Sequence, residues 1–158
     1  MRDAFAAEVA EEGSDSRIAA ILQEAATITR MGFVAVARVT EDRWVACQIE
    51  DRIEFGLDPG DELEIKKTIC DEVRDCGTRI VIDHIGADPE WRTHPVPALY
   101  GFQSYASFPI YLADGSFYGT LCAIDPEPRA LNAADTIAAL ERYAAEIARI
   151  LSEGRGGS

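Results

Sequence analysis

Apolar and polar positions follow two rhythms along this chain, one typical of helices and one typical of strands. Apolar residues recur at helical spacing in the stretch that ends near Arg30 and again between Asn132 and Leu151. A period of three to four residues predicts amphipathic helices, and short runs rich in β-branched and aromatic residues predict strands. Such short runs lie at 33–40, 43–50, 79–83, 104–112 and 116–124.

Capping residues predict where the helices begin and end. Residues 2–12 are rich in Ala and Glu and predict a short helix. Ser14 or Ser16 is the expected N-cap of the next helix and Gly32 its expected end, while Asn132 is the expected N-cap of the final helix. The other predicted elements are a short strand at Ile53 to Phe55 and a helix from about Ile65 to Asp75.

The last two strand runs predict a hairpin. They are joined through Asp114-Gly115, a pair that favours tight turns because such turns need a residue that tolerates positive φ. Pro109 lacks a backbone donor, so its strand must lie at an edge or carry a bulge there. Gly119 indicates a position where another group packs against the backbone.

This hairpin resembles the last two strands of the GAF domain, a small-molecule sensor module of bacterial signalling proteins. Two stretches carry the resemblance, Phe108-Pro109-Ile110 and Gly119-Thr120-Leu121-Cys122-Ala123-Ile124-Asp125. They are most like GAF domains that precede sensor histidine kinases, and the likeness extends from about Ile18 to Leu151.

The resemblance implies an α+β fold related to PAS domains. It has a central antiparallel sheet of five to six strands, the terminal helices on one face and a lid of loops and a short helix on the other. We expect a helical extension at 1–13, the GAF domain at 14–153 and a flexible tail or cloning remnant at 154–158.

Charge and composition limit the partners and the location that we expect for this protein. The chain has 15 Lys and Arg against 28 Asp and Glu, a net charge of −13, which argues against nucleic acid or anionic membrane as a partner. It has no apolar run long enough to cross a membrane and no signal-peptide pattern, so we expect a cytoplasmic protein. Its cysteines have no disulfide framework spacing, and its two histidines have no metal-ligand spacing.

The stretch from His84 to Tyr100 is irregular and rich in proline, and long loops inside compact domains are commonly functional. We interpret it as a packed lid over a ligand pocket. Its aromatic residues could wall that pocket or fill the core beneath the lid, and Asp83 could bind a polar ligand group or cap a turn. The candidate ligand-binding residues are Trp91, His94, Tyr100, Phe102 and Tyr105, with Asp83 and Cys70 ranking lower.

Two members of the family offer more specific roles. In the bilin-binding GAF domains of phytochromes and cyanobacteriochromes a Cys-His pair lies in this lid; His94 matches the histidine, but Thr93 replaces the linking cysteine. In free methionine-R-sulfoxide reductase one cysteine lies near the start of the short helix, where Cys70 loosely fits, and another in the lid, where this chain has none.

The final helix offers a signalling surface. Ile137, Leu140, Ala144, Ile147 and Leu151 repeat at a heptad-like spacing, and Tyr143 and Ile150 form a second apolar line. One line could cover the sheet while the other meets a partner helix, or both could form one broad stripe that faces the core.

The resemblance thus implies a non-catalytic sensory domain that binds an unidentified small molecule and signals as a homodimer through its terminal helices. The cofactor stays open, with a bilin or other tetrapyrrole as one option. The alternatives are a bilin photoreceptor without the usual linkage, a structural dimerisation module without a ligand, and the reductase.

Overall fold

The structure is a computed structural model that describes residues 4–12, 15–40, 44–53, 58–63, 79–84, 103–131 and 133–156. Its helices are α1 (Ala4–Glu12), α2 (Ser16–Thr29) and α3 (Ala134–Gly156). Its strands are β1 (Phe33–Val39), β2 (Trp44–Asp51), β3 (Glu62–Leu63), β4 (Ile80–Ile82), β5 (Ser104–Tyr111) and β6 (Phe117–Asp125).

The strands form one six-stranded sheet in the order β3-β2-β1-β6-β5-β4, with every neighbouring pair antiparallel. The α+β architecture with a central antiparallel sheet is therefore confirmed. The expected short strand at Ile53 to Phe55 is replaced at Ile53 by a bend, and β3 lies further along the chain. The lid and the helix expected at 65–75 lie outside the described residues.

The hairpin between β5 and β6 forms as expected. Gly115 has φ of +87°, and its N–H donates to the Leu112 carbonyl at 2.8 Å. Pro109 lies two residues beyond Ser107, where the described pairing with β4 ends at Ile80, so its missing donor costs no hydrogen bond there.

The ends of α2 differ from expectation. Its N-cap is Asp15 rather than Ser14 or Ser16, because the Asp15 carboxylate accepts from the Arg17 backbone N–H at 2.8 Å. Arg30, with φ of +61°, ends the helix in a left-handed conformation before Gly32 is reached.

All three helices lie on one face of the sheet, which we call the helix face. Ile18 and Leu22 of α2 pack there with Leu140 and Ile147 of α3, and Val9 of α1 joins the same cluster. These side chains are fully or almost fully buried, and the strands contribute alternate residues to the cluster. The list includes Val34, Val36, Val45, Cys47, Ala106, Phe108, Ile110, Tyr118, Leu121 and Ala123.

Both apolar lines of α3 belong to this core. Tyr143 is 6% exposed and Ile150 is 4% exposed, and both pack in the cluster that contains Leu140 and Leu151. The broad core-facing stripe is therefore what the chain forms. The outward positions of α3 include Glu141, Arg142 and Arg149, all charged.

Two register shifts interrupt the regular alternation. Val36 pairs with Gln48 while Ala37 pairs with Ala46, so Cys47 is one extra residue in β2. Ile110 pairs with Gly119 while Tyr111 pairs with Phe117, so Tyr118 is the extra residue in β6.

The two extra residues meet on the helix face. The Cys47 Sγ and the Tyr118 hydroxyl oxygen are 3.3 Å apart, and both residues are buried. The Arg38 guanidinium lies 4.9 Å from the centre of the Tyr118 ring and donates to the Tyr118 carbonyl. Such bulges commonly redirect side chains, and here each changes the face of the residues that follow it.

Candidate functional site

The face of the sheet opposite the helices, which we call the second face, carries its own buried apolar cluster. In β1 it receives every other residue, from Phe33 through Ala35 and Ala37 to Val39, as a strand with both faces covered requires. Its described members are 0–8% exposed. They are Phe33, Ala35, Ala37, Val39, Trp44, Ala46, Ile82, Tyr105, Cys122 and Ile124.

Small side chains occupy the middle of the second face. Ala37 lies directly opposite Ala46 on β2, and Ala35 lies opposite Cys122 on β6. Larger side chains of the same cluster surround them, including Phe33, Trp44, Tyr105 and Ile124. We call Ala35, Ala37 and Ala46 the alanine floor. Because a methyl group is much smaller than a phenyl or indole ring, the strands contribute less side-chain bulk at the centre of this face than at its edges.

The register shift at Cys47 places Trp44 on the second face. Ile49 packs against the second-face cluster, so strict alternation from Ile49 would put Cys47 and Val45 on this face as well. The extra residue reverses the order, and Ala46 and Trp44 face the cluster instead. Trp44 is not among the predicted site residues, because an unbroken alternation across 43–50 would place it on the face opposite to Ile49.

Trp44 also carries an unmet hydrogen-bond donor. Its side chain is 2% exposed, and among the described residues its indole Nε1 is a buried nitrogen without a hydrogen-bond partner. Buried indole N–H groups usually donate to an acceptor, so a buried indole without one is unusual.

Among the expected site residues, Tyr105 lies on the second face. It is buried in the cluster, between Ile82 of β4 and Ile124 of β6 in the sheet register.

Asp83 follows β4 and contacts the segment that leads into α3. Its Oδ1 accepts from the Leu131 N–H at 2.9 Å, and its carbonyl accepts from the Arg129 N–H at 3.0 Å. Asp83 therefore caps this segment, and capping is one of the two roles expected for it.

The same segment is tied to β6 and β5 through Asp125, which is buried. Its Oδ2 accepts from the Gly32 N–H at 2.8 Å and its Oδ1 from the Glu127 N–H at 2.9 Å. The Asp125 carbonyl accepts from the Gln103 N–H at 2.9 Å, and the Ser104 hydroxyl donates to the Glu127 carbonyl at 2.8 Å. The acidic residue at the end of the family-like motif thus holds the start of β1 and the end of β6 together.

The remaining expected site residues lie outside the described residues. They are Cys70, Trp91, His94, Tyr100 and Phe102.

The described part of the second-face cluster contains no Asp, Glu, Lys, Arg or His side chain; its polar groups are the Tyr105 phenol, the Cys122 thiol and the Trp44 indole N–H. Two described residues with a shifted pKa, Asp15 and Tyr143, belong to the N-cap of α2 and to α3. Hydrogen bonds from Arg17 hold the pKa of Asp15 at about 2, and burial, assisted by Glu24, raises the pKa of Tyr143. A charged ligand group placed on the second face would find no described counter-ion within the cluster.

A groove of about 720 Å³ opens on the helix face, between α3 and β5. Phe108, Pro109 and Tyr111 line it from the strand, and an ion pair of 2.7 Å between Arg79 and Glu141 lies at its side. The pocket was predicted on the opposite face of the sheet, so this groove is a separate feature.

Two other kinds of functional feature are absent from the described residues. Within the described ranges no group of three or more His, Cys, Asp or Glu side chains is placed to hold a metal ion. No helix of this part of the chain combines the length and hydropathy needed to cross a membrane.

An antiparallel sheet with terminal helices on one face and a second buried cluster on the other defines a class of small α+β domains. The family model described as GAF domain matches residues 15–151, so the chain belongs to the GAF domain family, as its last hairpin indicated. A comparison with curated proteins gave no match.

Solved structures with the same fold are distant in sequence. The GAF domain of a two-component sensor histidine kinase from Bacillus halodurans is 14% identical, with a TM-score of 0.68 over 92% of this chain and 99% of that one. The red-light-absorbing state of a red/green cyanobacteriochrome, NpR6012g4, is 15% identical, with a TM-score of 0.69 over 90% and 96%. The type II free methionine-R-sulfoxide reductase from Thermoplasma acidophilum is 14% identical, with a TM-score of 0.67 over 92% and 96%. At these identities the likeness establishes the fold.

Proposed function

We propose that this chain is a non-catalytic sensory GAF domain of a bacterial signalling protein such as a sensor histidine kinase. It binds a small molecule on the second face and passes the signal on through α3. The observation that carries the proposal is the second-face cluster, a buried apolar surface separate from the core under the helices. Small-molecule sites are mostly apolar concavities with a few placed polar groups, and the alanine floor with Trp44 and Tyr105 beside it has this composition.

The hydrogen bonds around Asp125 support the relay to α3. The lid is expected from His84 to Tyr100, with Asp83 before it and Gln103 shortly after it. Asp83 is bonded to Leu131, and Gln103 is bonded to Asp125. Both flanks are therefore attached to 125–131, the segment that leads into α3. A ligand that displaces either flank acts on the start of α3, provided that it binds the two arrangements with different affinity.

Thermal-shift screening against cyclic nucleotides, tetrapyrroles and metabolites tests the proposal. A ligand at 100 times its Kd stabilises the folded state by about 2.7 kcal/mol, which raises the Tm measurably. The variant Ala35→Leu fills the alanine floor and should lose the shift, whereas Ala138→Leu, on an exposed position of α3, should keep it. A compound that stabilises both variants equally binds elsewhere and would contradict the proposed site.

Two further measurements test the alternatives. In the first, biliverdin or phycocyanobilin is added and the visible spectrum is recorded. The absence of a new red-shifted absorbance band would remove the bilin photoreceptor as an alternative. Free methionine sulfoxide should not be turned over, and a turnover that Cys70→Ser abolishes would replace this proposal with the reductase.

The proposal includes signalling as a cytoplasmic homodimer through the terminal helices. The charged outward positions of α3 mean that such pairing would depend on salt, which light scattering at low and high ionic strength can measure.

A further inference from the structure

The unmet donor of Trp44 points to the chemistry of the ligand. The indole Nε1 is buried and, in the described part of the chain, lacks a hydrogen-bond partner, although the ring packs in the second-face cluster beside Ala46 and Val39. A buried N–H without an acceptor costs free energy, and a ligand acceptor would recover it.

The position of Trp44 is fixed by the sheet. Its backbone pairs with Val39 of β1 on one side and with Leu63 of β3 on the other. The indole therefore stands at one end of the alanine floor, whose nearest member, Ala46, is two residues along the same strand face. Both the donor and the floor are parts of regular strands, which makes them a preorganised pair.

The apolar, uncharged character of the described cluster selects the rest of the ligand. An ionised group would be desolvated there without a partner in the cluster, whereas a flat apolar body can lie on the methyl groups. We infer that the ligand is a neutral, flat, aromatic-type molecule whose hydrogen-bond acceptor, a carbonyl oxygen or ring nitrogen, receives the Trp44 indole N–H. This inference rests on the proposed function and specifies its ligand class.

The test compares quinoline with naphthalene, which have the same shape and differ by one ring nitrogen acceptor. Each is titrated into the full chain, labelled with ¹⁵N and with ¹³C at the alanine methyl groups, at mildly alkaline pH, where quinoline is neutral. The indole N–H and alanine methyl signals are followed by NMR. The chain has two tryptophans, so the spectrum of Trp91→Phe, recorded without ligand and used only for assignment, identifies the indole signal of Trp44 in the wild type.

We expect quinoline to move the Trp44 indole proton downfield and to bind about tenfold more tightly than naphthalene, the usual worth of one hydrogen bond. Trp44→Phe keeps an aromatic ring but removes the donor, and it should bind both compounds equally. If Trp44→Phe does not fold, the wild-type indole shift alone decides the matter.

Several results would overturn the inference. They are an unmoved Trp44 signal up to the solubility limit of quinoline, equal affinity of the wild type for both compounds, and a preference that survives in Trp44→Phe. The methyl signals of Ala35, Ala37 and Ala46 separate this failure from failure of the proposed function. If those methyl groups respond to both compounds while the indole does not, the second face binds ligands but Trp44 is not the donor. If neither responds, the proposed ligand face is wrong as well.

Discussion

Single residues decide how closely the strands of this sheet approach one another. A Cβ atom on Gly119 would lie 1.8 Å from the carbonyl oxygen of Ala37, a distance that no side chain can occupy. Gly115 is the opposite case, because its φ of +87° requires a glycine-like conformation while the space around it is open.

The two glycines therefore predict different losses of stability on substitution. Gly119→Ala must push β1 away from β6, and we expect it to lower the free energy of unfolding by about 3 kcal/mol. Gly115→Ala suffers only the left-handed backbone cost of about 1 kcal/mol. Urea unfolding of both variants measures the difference, and equal losses would show that the strands separate easily at Gly119.

At the scale of elements, the start of α2 is held by charge as well as by a cap. Hydrogen bonds from Arg17 to the Asp15 carboxylate lower the pKa of Asp15 from 3.8 to about 2. A carboxyl whose pKa is lower in the folded than in the unfolded chain stabilises the fold above the unfolded value. That stabilisation is lost as the pH falls from 3.8 towards 2.

We expect Asp15→Asn, which keeps a capping oxygen but loses the charge, to unfold at slightly lower urea than wild type at neutral pH. The gap between the two proteins should close as the pH falls through that window. Asp15→Ala should be less stable than Asp15→Asn at every pH. A gap that widens in acid would contradict the assigned pKa shift.

The segment before α3 is held by the Asp83 side chain, which accepts a hydrogen bond from the Leu131 N–H. Asp83→Ala removes the acceptor of the Leu131 N–H, and we expect amide hydrogen exchange at Leu131 and in the first turn of α3 to become about fivefold faster. Asp83→Asn keeps an oxygen in the same place and serves as the matched control. Unchanged exchange in Asp83→Ala would remove Asp83 from the proposed relay.

Local chemistry was enough to predict some elements and not others. The turn at Gly115 and the close contact at Gly119 follow from residues next to one another in sequence, and both were predicted. The N-cap of α2 was not, because Asp15 stands between two serines of similar capping strength and its bond to Arg17 decides the outcome. The face of Trp44 was missed because the extra residue at Cys47 shows only when β2 is paired with β1.

At the scale of the whole molecule, the helix face is closed by the chain itself. Both apolar lines of α3 are buried against α2 and the sheet, so the proposed homodimer would have to pair through exposed positions of the terminal helices. An apolar seam between two α3 helices would have to expose side chains such as Ile150 from the core.

Ile150→Ala tests which surface this side chain belongs to. As a core substitution it should lower the free energy of unfolding by about 3 kcal/mol and leave the oligomeric state unchanged in light scattering. Ala138→Ser, on an exposed position of the same helix, should change stability by less than about 0.5 kcal/mol. A variant that dissociates a dimer while its unfolding is unaffected would place Ile150 in an interface.

The extra residue at Cys47 has a consequence for how such domains diverge. Deleting it would leave Gln48 opposite Val36 and Ala46 opposite Ala37, as they are now, and β2 would alternate without interruption. Trp44 and Ala46 would then keep the second face and Val45 the helix face. A codon can therefore be gained or lost at this one position of the lineage without changing the β2 side chains that are offered to a ligand.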